Sequence, residues 1–599
     1  MQVVREHRDD LVQRLRVMRA VVTVLILAIG AGFWFAQIVQ GSYYRELAEN
    51  NRLRKLPIKA PRGLIYDRKG RLMVENIPSY NLMFDRSQAK AGDGSLKFAS
   101  EVLGKPLPDL QALMKSYSGV PEFKPVLLAE DLSLSQVSRF GVTSLEYPEF
   151  EVDVQHLRLY RHREQTAHVI GYLGEVTQDE VAASDGLYQP GDLVGKKGIE
   201  QTYDAQLRGQ DGERVVVVDS RGELLQEFDR TEAVPGKNLN LTLDLDLQQE
   251  AARWLDGPEK VGAVVAMDPR NGEILALVSS PSFNPNLFAR RLQQEEWQAL
   301  LNAENHPLQN RAIQNTYSPG STFKIIMGVA GLTEGVVDEH SSVFCGGAAV
   351  IYGHQFRCWR KGGHGTVDIH RALKLSCDVY FYQLGQKLGI ERIARYSRLF
   401  GLGSRTGIEI RGEKAGLVPD PAWSLKARKM PWYPGETISV SIGQGPILLT
   451  PLQMASMTAI VANGGWRVVP HLVRGTQVKA THVPLDPKAL KAVREGLWAV
   501  VNEPGGTGYN SVRVPEAEIA GKSGTVQVIA YKTRVDTRSL PFKYRDHAWF
   551  TSFAPYEDPR LVVAVFAEHG GSGSRTAGPI AQALYAKFLS SDSEPAGDR

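Results

Sequence analysis

The chain has 599 residues, 43% of them hydrophobic and 23% charged, proportions that exclude a disordered or fibrous protein. Its length calls for several domains. A formal net charge of +4 gives no ground for a nucleic-acid partner, and three cysteines exclude a disulfide-built scaffold.

Arg5, Arg8, Arg14, Arg16 and Arg19 precede Ala20–Tyr44, a stretch without charge whose first twenty residues are almost wholly apolar. A helix needs about 20 such residues to cross a bilayer. The positive-inside rule leaves residues 1–19 in the cytoplasm, makes 20–40 the transmembrane helix and sends the rest outward. Trp34, Tyr43 and Tyr44 fall where an outer aromatic belt would lie. A cleaved signal peptide and a buried helix are the competing readings. The length of the apolar core and the lack of an A-x-A-like site favour a single-pass anchor in the cytoplasmic (inner) membrane.

Residues 41–240 read as a stalk and pedestal. Positions 41–60 are polar and helix-compatible; Ala60–Leu72 has the alternation and Asp/Gly signals of strand, turn, strand. Strand-like runs such as Val215–Val218 then alternate with helical patterns such as Asp109–Lys115. No nucleophile, base and acid cluster there, so the region is expected to be structural or a docking module. A strand at Leu239–Leu247 should lead into a helix from Gln248, and Val261–Asp268 with Glu273–Ser279 into a hairpin around Asn271-Gly272. A second domain is placed at 241–590, with 591–599 a loose tail.

The chemistry concentrates in that domain. Pro319-Gly320-Ser321-Thr322-Phe323-Lys324 precedes the apolar run Ile325–Leu332, a turn opening a helix. Ser321 and Lys324, three apart, share one face. A serine is a poor nucleophile until a neighbour takes its proton, and a lysine can do so. The spacing alone proves little, since Ser87–Lys90 repeats it without the apolar helix. Two further motifs raise its weight. Ser376-Cys377-Asp378 offers a second hydroxyl to relay a proton. Lys522-Ser523-Gly524-Thr525 offers a cation, small residues for close approach, and a hydroxyl for a substrate carboxylate.

S-x-x-K, S-x-D and K-S-G-T in this order resemble the signature of the penicillin-recognising serine enzymes. Ser441-Ile442-Gly443-Gln444-Gly445, His547-Ala548-Trp549-Phe550 and Pro61-Arg62-Gly63-x-Ile65-x-Asp67-x-x-Gly70 extend the likeness over nearly the whole chain. Together they resemble class B penicillin-binding proteins, the elongation type most. The resemblance implies an α+β protein: a transmembrane helix, an elongated pedestal, and an antiparallel sheet flanked by helices. It also implies a D,D-transpeptidase that cross-links peptidoglycan stem peptides through an acyl-enzyme on Ser321 and is inhibited by β-lactams. Lys324 would be the base, Ser376 the relay, and Lys522 with Thr525 the carboxylate clamp. A SEDS-type glycosyltransferase, RodA, and elongation proteins such as MreC would be its partners. Asp378 stands where the family usually has Asn; an ionised Asp cannot donate to a substrate amide, so its role could shift toward holding Lys324 or Lys522 by charge. A division-type transpeptidase, a carboxypeptidase, a β-lactam sensor and a β-lactamase are the alternatives.

All three cysteines fall in one window, Cys345, Cys358 and Cys377, with His364 between the last two. Three thiolates and an imidazole suit a closed tetrahedral zinc site, a structural Zn2+ with no open position. A Cys345–Cys358 disulfide, or three unlinked thiols, are the other readings, and His354 and His370 are rival ligands. The acyl transfer itself needs no cofactor.

Overall fold

The computed structural model describes residues 2–45, 53–89, 94–122, 124–218, 224–289, 294–529 and 539–592. A helix runs over Gln2–Trp34 and continues as a π-helical turn through Phe35–Val39. Its stretch Leu11–Val39 is long and apolar enough to cross a membrane, and among the described residues none covers it.

Packing sorts the chain into two units. One comprises residues 1–62, 78–156 and 208–236, the other 63–77, 157–207 and 237–599. The chain passes repeatedly between them, so packing does not follow a single cut at residue 240.

In the first unit, Leu53–Ile58 is a strand antiparallel to Gly212–Val218, which pairs in turn with Leu224–Thr231. The expected helical stalk is therefore a strand over 53–58; positions 46–52 of it lie outside the described residues. Pro57 is tolerated because this strand is the edge of its sheet, where the missing N–H leaves no ladder bond unmade. A separate core gathers Phe84, Phe140 and Phe150 with Leu110 and Leu128. Ser87 is exposed and its hydroxyl donates to Asp85; Lys90 lies outside the described residues.

In the second unit, Ile65–Tyr66 turns through Asp67–Gly70 to pair with Leu72 and Val74, the strand, turn and strand expected. Leu239–Asn240 lies parallel to Ile65–Tyr66, but the strand stops there. The expected strand to Leu247 gives way to a helix, α1 (Leu245–Trp254), because the Asp244 side chain caps it by accepting from Asp246 N–H. Asp244 and Asp246 do not alternate across a sheet; both meet Lys69, at 3.0 and 2.9 Å.

The core of this unit is a five-stranded antiparallel sheet: β1 (Gly262–Met267), β2 (Ile274–Ser280), β3 (Ala520–Val526), β4 (His547–Ala554) and β5 (Leu561–Ala567), in spatial order β2-β1-β5-β4-β3. The hairpin β1–β2 turns at Gly272, whose φ of +88° explains the glycine. Both faces are covered. Ala263, Val265 and Met267 join one core with α2 (Lys324–Thr333), α3 (Asp378–Leu399) and α4 (Pro451–Ala462). Val264 and Ala266 join the other with α1 and α6 (Gly578–Asp592). α5 (Pro487–Asn502) packs against β3, giving Leu497 to the first core and Val501 to the second. Double coverage is why β1 and β5 read as unbroken apolar runs. In α2, each fully buried Ile325, Ile326 and Val329 contributes about 1.5–3 kcal/mol.

Candidate active site

The turn before Ser321 is held on three sides. Trp549 Nε1 donates to Ser318 O at 3.0 Å, Thr322 Oγ1 donates to Pro319 O at 2.6 Å, and Gly320 N donates to Gly443 O at 2.9 Å. Gly320 and Gly443 both have positive φ, and a Cβ on Gly443 would stand 2.1 Å from Gly320 O. Gly320–Phe323 forms a 3-10 turn that runs into α2 at Lys324. In that winding residues i and i+3 fall on one side, so Ser321 and Lys324 share a face.

Lys324 is fully buried, and its Nζ meets Ser376 O at 3.0 Å, Ser376 Oγ at 3.3 Å and Asp378 Oδ1 at 2.6 Å. Ser376 has φ +53°, a left-handed backbone that costs a serine on the order of 1–3 kcal/mol and recurs where residues are held for function. It turns the chain sharply between Leu375 and α3, presenting both its carbonyl and its hydroxyl to one ammonium.

Lys522, from β3, is also fully buried and donates to Ser523 O at 3.0 Å. Burial pushes its ammonium well below the ordinary lysine range; the Lys324 charge adds to this and Asp378 opposes it. β3 is the edge strand of the sheet and lies against the nucleophile turn. A Cβ on Gly524 would come within 3.1 Å of Pro319 O, and one on Gly320 within 2.9 Å of Thr525 O. Ser523 Oγ lies 2.8 Å from Thr507 Oγ1, and Thr525 is exposed. The three motifs thus converge on one site from α2, the start of α3, and β3.

Cys345, Cys358, His364 and Cys377 are all buried, with one ligand atom of each within 4.8 Å of the others. His364 Nδ1 lies 3.7 Å from Cys345 Sγ and 3.5 Å from Cys358 Sγ, while its Nε2 is buried without a partner. Among the described residues the three cysteines form no disulfide. The hydrogen bond from Cys377 draws the Cys358 thiol down to about 5, against burial, and Cys377 is pushed up in turn. His354 is exposed and His370 faces Glu503, so neither joins the group.

Sequence reasoning missed Trp359. Its backbone N–H donates to Asp378 Oδ2 at 2.9 Å, and its indole N–H reaches Leu375 O and Ser376 O at 3.1 Å each. One residue from the cysteine group therefore ties down the second motif; its place directly after Cys358 was the available signal. Tyr317 was missed too: its hydroxyl donates to Glu568, which also takes Arg311 at 3.0 Å, beneath the turn.

Residues 262–586 match the family model described as penicillin binding protein transpeptidase domain, and residues 57–241 that of the penicillin-binding protein dimerisation domain. A Haemophilus influenzae protein named peptidoglycan D,D-transpeptidase MrdA is 37% identical over 573 residues, covering 92% of this chain and 88% of that one. The solved complex of penicillin-binding protein PBP2 and MreC from Helicobacter pylori is 28% identical, with a TM-score of 0.80 over 90% of this chain and 99% of that one. A solved peptidoglycan synthase complex, described as coordinating polymerisation and cross-linking, is 32% identical with a TM-score of 0.74, covering 98% of this chain and 100% of that one.

Proposed function

We propose that Ser321 is the acylated residue of this chain, which belongs to the penicillin-binding proteins and is a serine-type peptidoglycan D,D-transpeptidase of the elongation type. Ser321 Oγ attacks the carbonyl of the penultimate D-Ala of a stem peptide, and the bond to the terminal D-Ala breaks. The amine of a neighbouring stem peptide then attacks the ester, forming the cross-link and returning the serine. Lys324, as the neutral amine, takes the Ser321 proton, and Ser376 Oγ relays it to the departing amine. Asp378 holds Lys324 in place. Lys522 receives the terminal carboxylate together with Thr525, while Ser523 and Gly524 let the peptide backbone approach. The backbone N–H groups of Ser321 and Thr525 face the developing oxyanion.

The observation that carries this reading is the buried Lys324 Nζ, three residues after Ser321 in the chain and 3.3 Å from Ser376 Oγ. Intact-mass analysis of the purified protein with penicillin tests it. One persistent drug adduct is expected, absent in Ser321→Ala; an adduct retained in the variant, or one that vanishes within seconds as drug is consumed, refutes it.

The cysteine group fits a metal. Tetrahedral zinc with bonds of about 2.0–2.3 Å needs donors spaced much as these are, and a buried imidazole whose Nδ1 lies 3.5 and 3.7 Å from two thiols, with a third thiol in the group, is the chemistry of a ligand set. Cys345, Cys358, His364 and Cys377 would hold a structural Zn2+, tying the Cys345–His364 segment to the second motif. Metal analysis of protein purified without chelator should find one zinc per chain; no zinc with one free thiol would instead mean a Cys345–Cys358 disulfide.

The N-terminal helix anchors the chain, with its arginine-rich end in the cytoplasm and the catalytic unit outside the cytoplasmic (inner) membrane. The matched complex of PBP2 with MreC supports MreC as an associate, and the matched synthase complex supports a glycan-polymerising partner, which the family resemblance makes a SEDS-type glycosyltransferase, RodA.

A further inference from the structure

The segment that carries the cysteine group has an outer face of unusual chemistry. Between Ser341 and Val367 there are three basic residues, Arg357, Arg360 and Lys361, and no acidic one. All three are exposed. The ion pairs of the neighbourhood are Lys324–Asp378, His370–Glu503 and Lys374–Glu503, and none of them involves these cations. Large apolar side chains of the same segment are also unburied: Phe344 is 72% exposed, Tyr352 52% and Trp359 56%.

The exposure follows from how the segment is built. In the hairpin Ala348–Ile351 with His354–Arg357, Phe356 turns inward to meet the Tyr382 ring at 5.5 Å. Strand alternation then sends Gln355 and Arg357 outward. Tyr352 sits at the hairpin tip with φ +52°. Trp359 is fixed by its bonds to Asp378 Oδ2 and Ser376 O, which joins this face to the cleft without a break.

The geometry points to a subsite on this face for the anionic peptidoglycan strand itself, beyond the stem peptide being cut. The proposal rests on the transpeptidase reading and extends it. A strand brings two chemistries together: sugar rings, whose C–H faces lie on the electron-rich faces of aromatic rings, and stem-peptide carboxylates, which pair with guanidinium and ammonium groups. This face offers both, within one residue of the second motif. Aromatic residues and arginine left exposed together are the composition of a recognition surface and not of an idle one. A strand held here would remain near the cleft between successive cross-links.

Binding of a fluorescent, soluble, uncross-linked glycan strand bearing stem pentapeptides, measured by anisotropy with the full-length protein in detergent, tests this. Wild-type affinity should fall as salt rises, since exposed charges are screened. Arg357→Glu/Arg360→Glu/Lys361→Glu should bind the strand about tenfold more weakly or worse. Phe344→Ala/Tyr352→Ala, which leaves the charges intact, should weaken it severalfold at any salt concentration. Strand affinity unchanged within about twofold in both variants, or insensitive to salt, overturns the subsite. Penicillin acylation of the wild type separates the two readings. A wild type that is not acylated refutes the transpeptidase assignment, whereas an acylated one with charge-insensitive strand binding refutes only the subsite.

Discussion

Gly443 offers a test of whether the turn before Ser321 is held from behind. Its backbone lies in the left-handed region, at φ +73°, where an alanine costs about 1–2 kcal/mol. The larger effect is steric. An added Cβ would lie 2.1 Å from Gly320 O and 2.8 Å from Gly320 N, far inside the 3.4 Å at which ordinary contact begins. Neither neighbour is a flexible side-chain end, so the Gly320 peptide must retreat by about 1 Å and take Ser321 with it. A displacement of that size in a reacting group can cost about a hundredfold in rate. Gly443→Ala should therefore lower the second-order rate of penicillin acylation about a hundredfold, while thermal denaturation shows a loss of only a few degrees. Gly435→Ala is the control. It lies in the helical stretch Pro434–Val440 with nothing within 4 Å of its added carbon, so it should acylate normally and gain up to about 1 kcal/mol. Gly443→Ala acylating at the wild-type rate would refute the idea that residues 441–445 set the position of Ser321.

His168 and His547 both sit near 4, well below the ordinary 6.5, because burial disfavours their charged forms; at His547 the neighbouring His569 adds to the effect. Between pH 6.5 and 4 the unfolded chain binds protons that the folded chain refuses, so stability falls as pH falls, by about 1.4 kcal/mol per pH unit for each histidine. Melting temperatures across that window should show the decline, and His547→Gln should make it shallower; an unchanged slope would count against burial as the cause. Arg158 and Glu200 form an ion pair at 2.8 Å with both side chains almost wholly buried. Glu200→Ala leaves the guanidinium uncompensated and should cost about 3–5 kcal/mol by denaturant unfolding; a loss below about 1 kcal/mol would mean that water reaches Arg158.

The helix start at Ser321–Lys324 and the strand carrying Lys522–Thr525 were legible because each depends on residue types at a local spacing. The antiparallel sheet was legible at β1 and β2 because an Asn-Gly turn joins two apolar runs. What long-range pairing decides was not legible. Leu53–Ile58 reads as helix-compatible until Gly212–Val218 supplies the strand beside it. Asp244 and Asp246 look like the outward half of a strand, and only Lys69 and Arg71, some 170 residues earlier in the chain, make them the start of a helix. Trp359 escaped notice because its role is carried by a backbone N–H and an indole N–H whose acceptors lie 16 to 19 residues on, at a distance fixed by the fold.

The discontinuity of the catalytic unit bears on how the protein can be cut. Ile65, Met73, Val74, Tyr160, Ile170 and Ile199 are all buried in the same core as α2 and α4, though they precede residue 241. A fragment beginning at 241 would keep the S-x-x-K, S-x-D and K-S-G-T motifs yet open a hydrophobic trough where those six side chains belong. It would also lose Lys69 and Arg71 from the carboxylates at the head of α1. Such a truncation should aggregate where the intact chain does not. The residues that make this unit soluble are distributed along the chain in a way that its chemistry is not, and a family boundary drawn by motif is not a boundary at which the polypeptide can be severed.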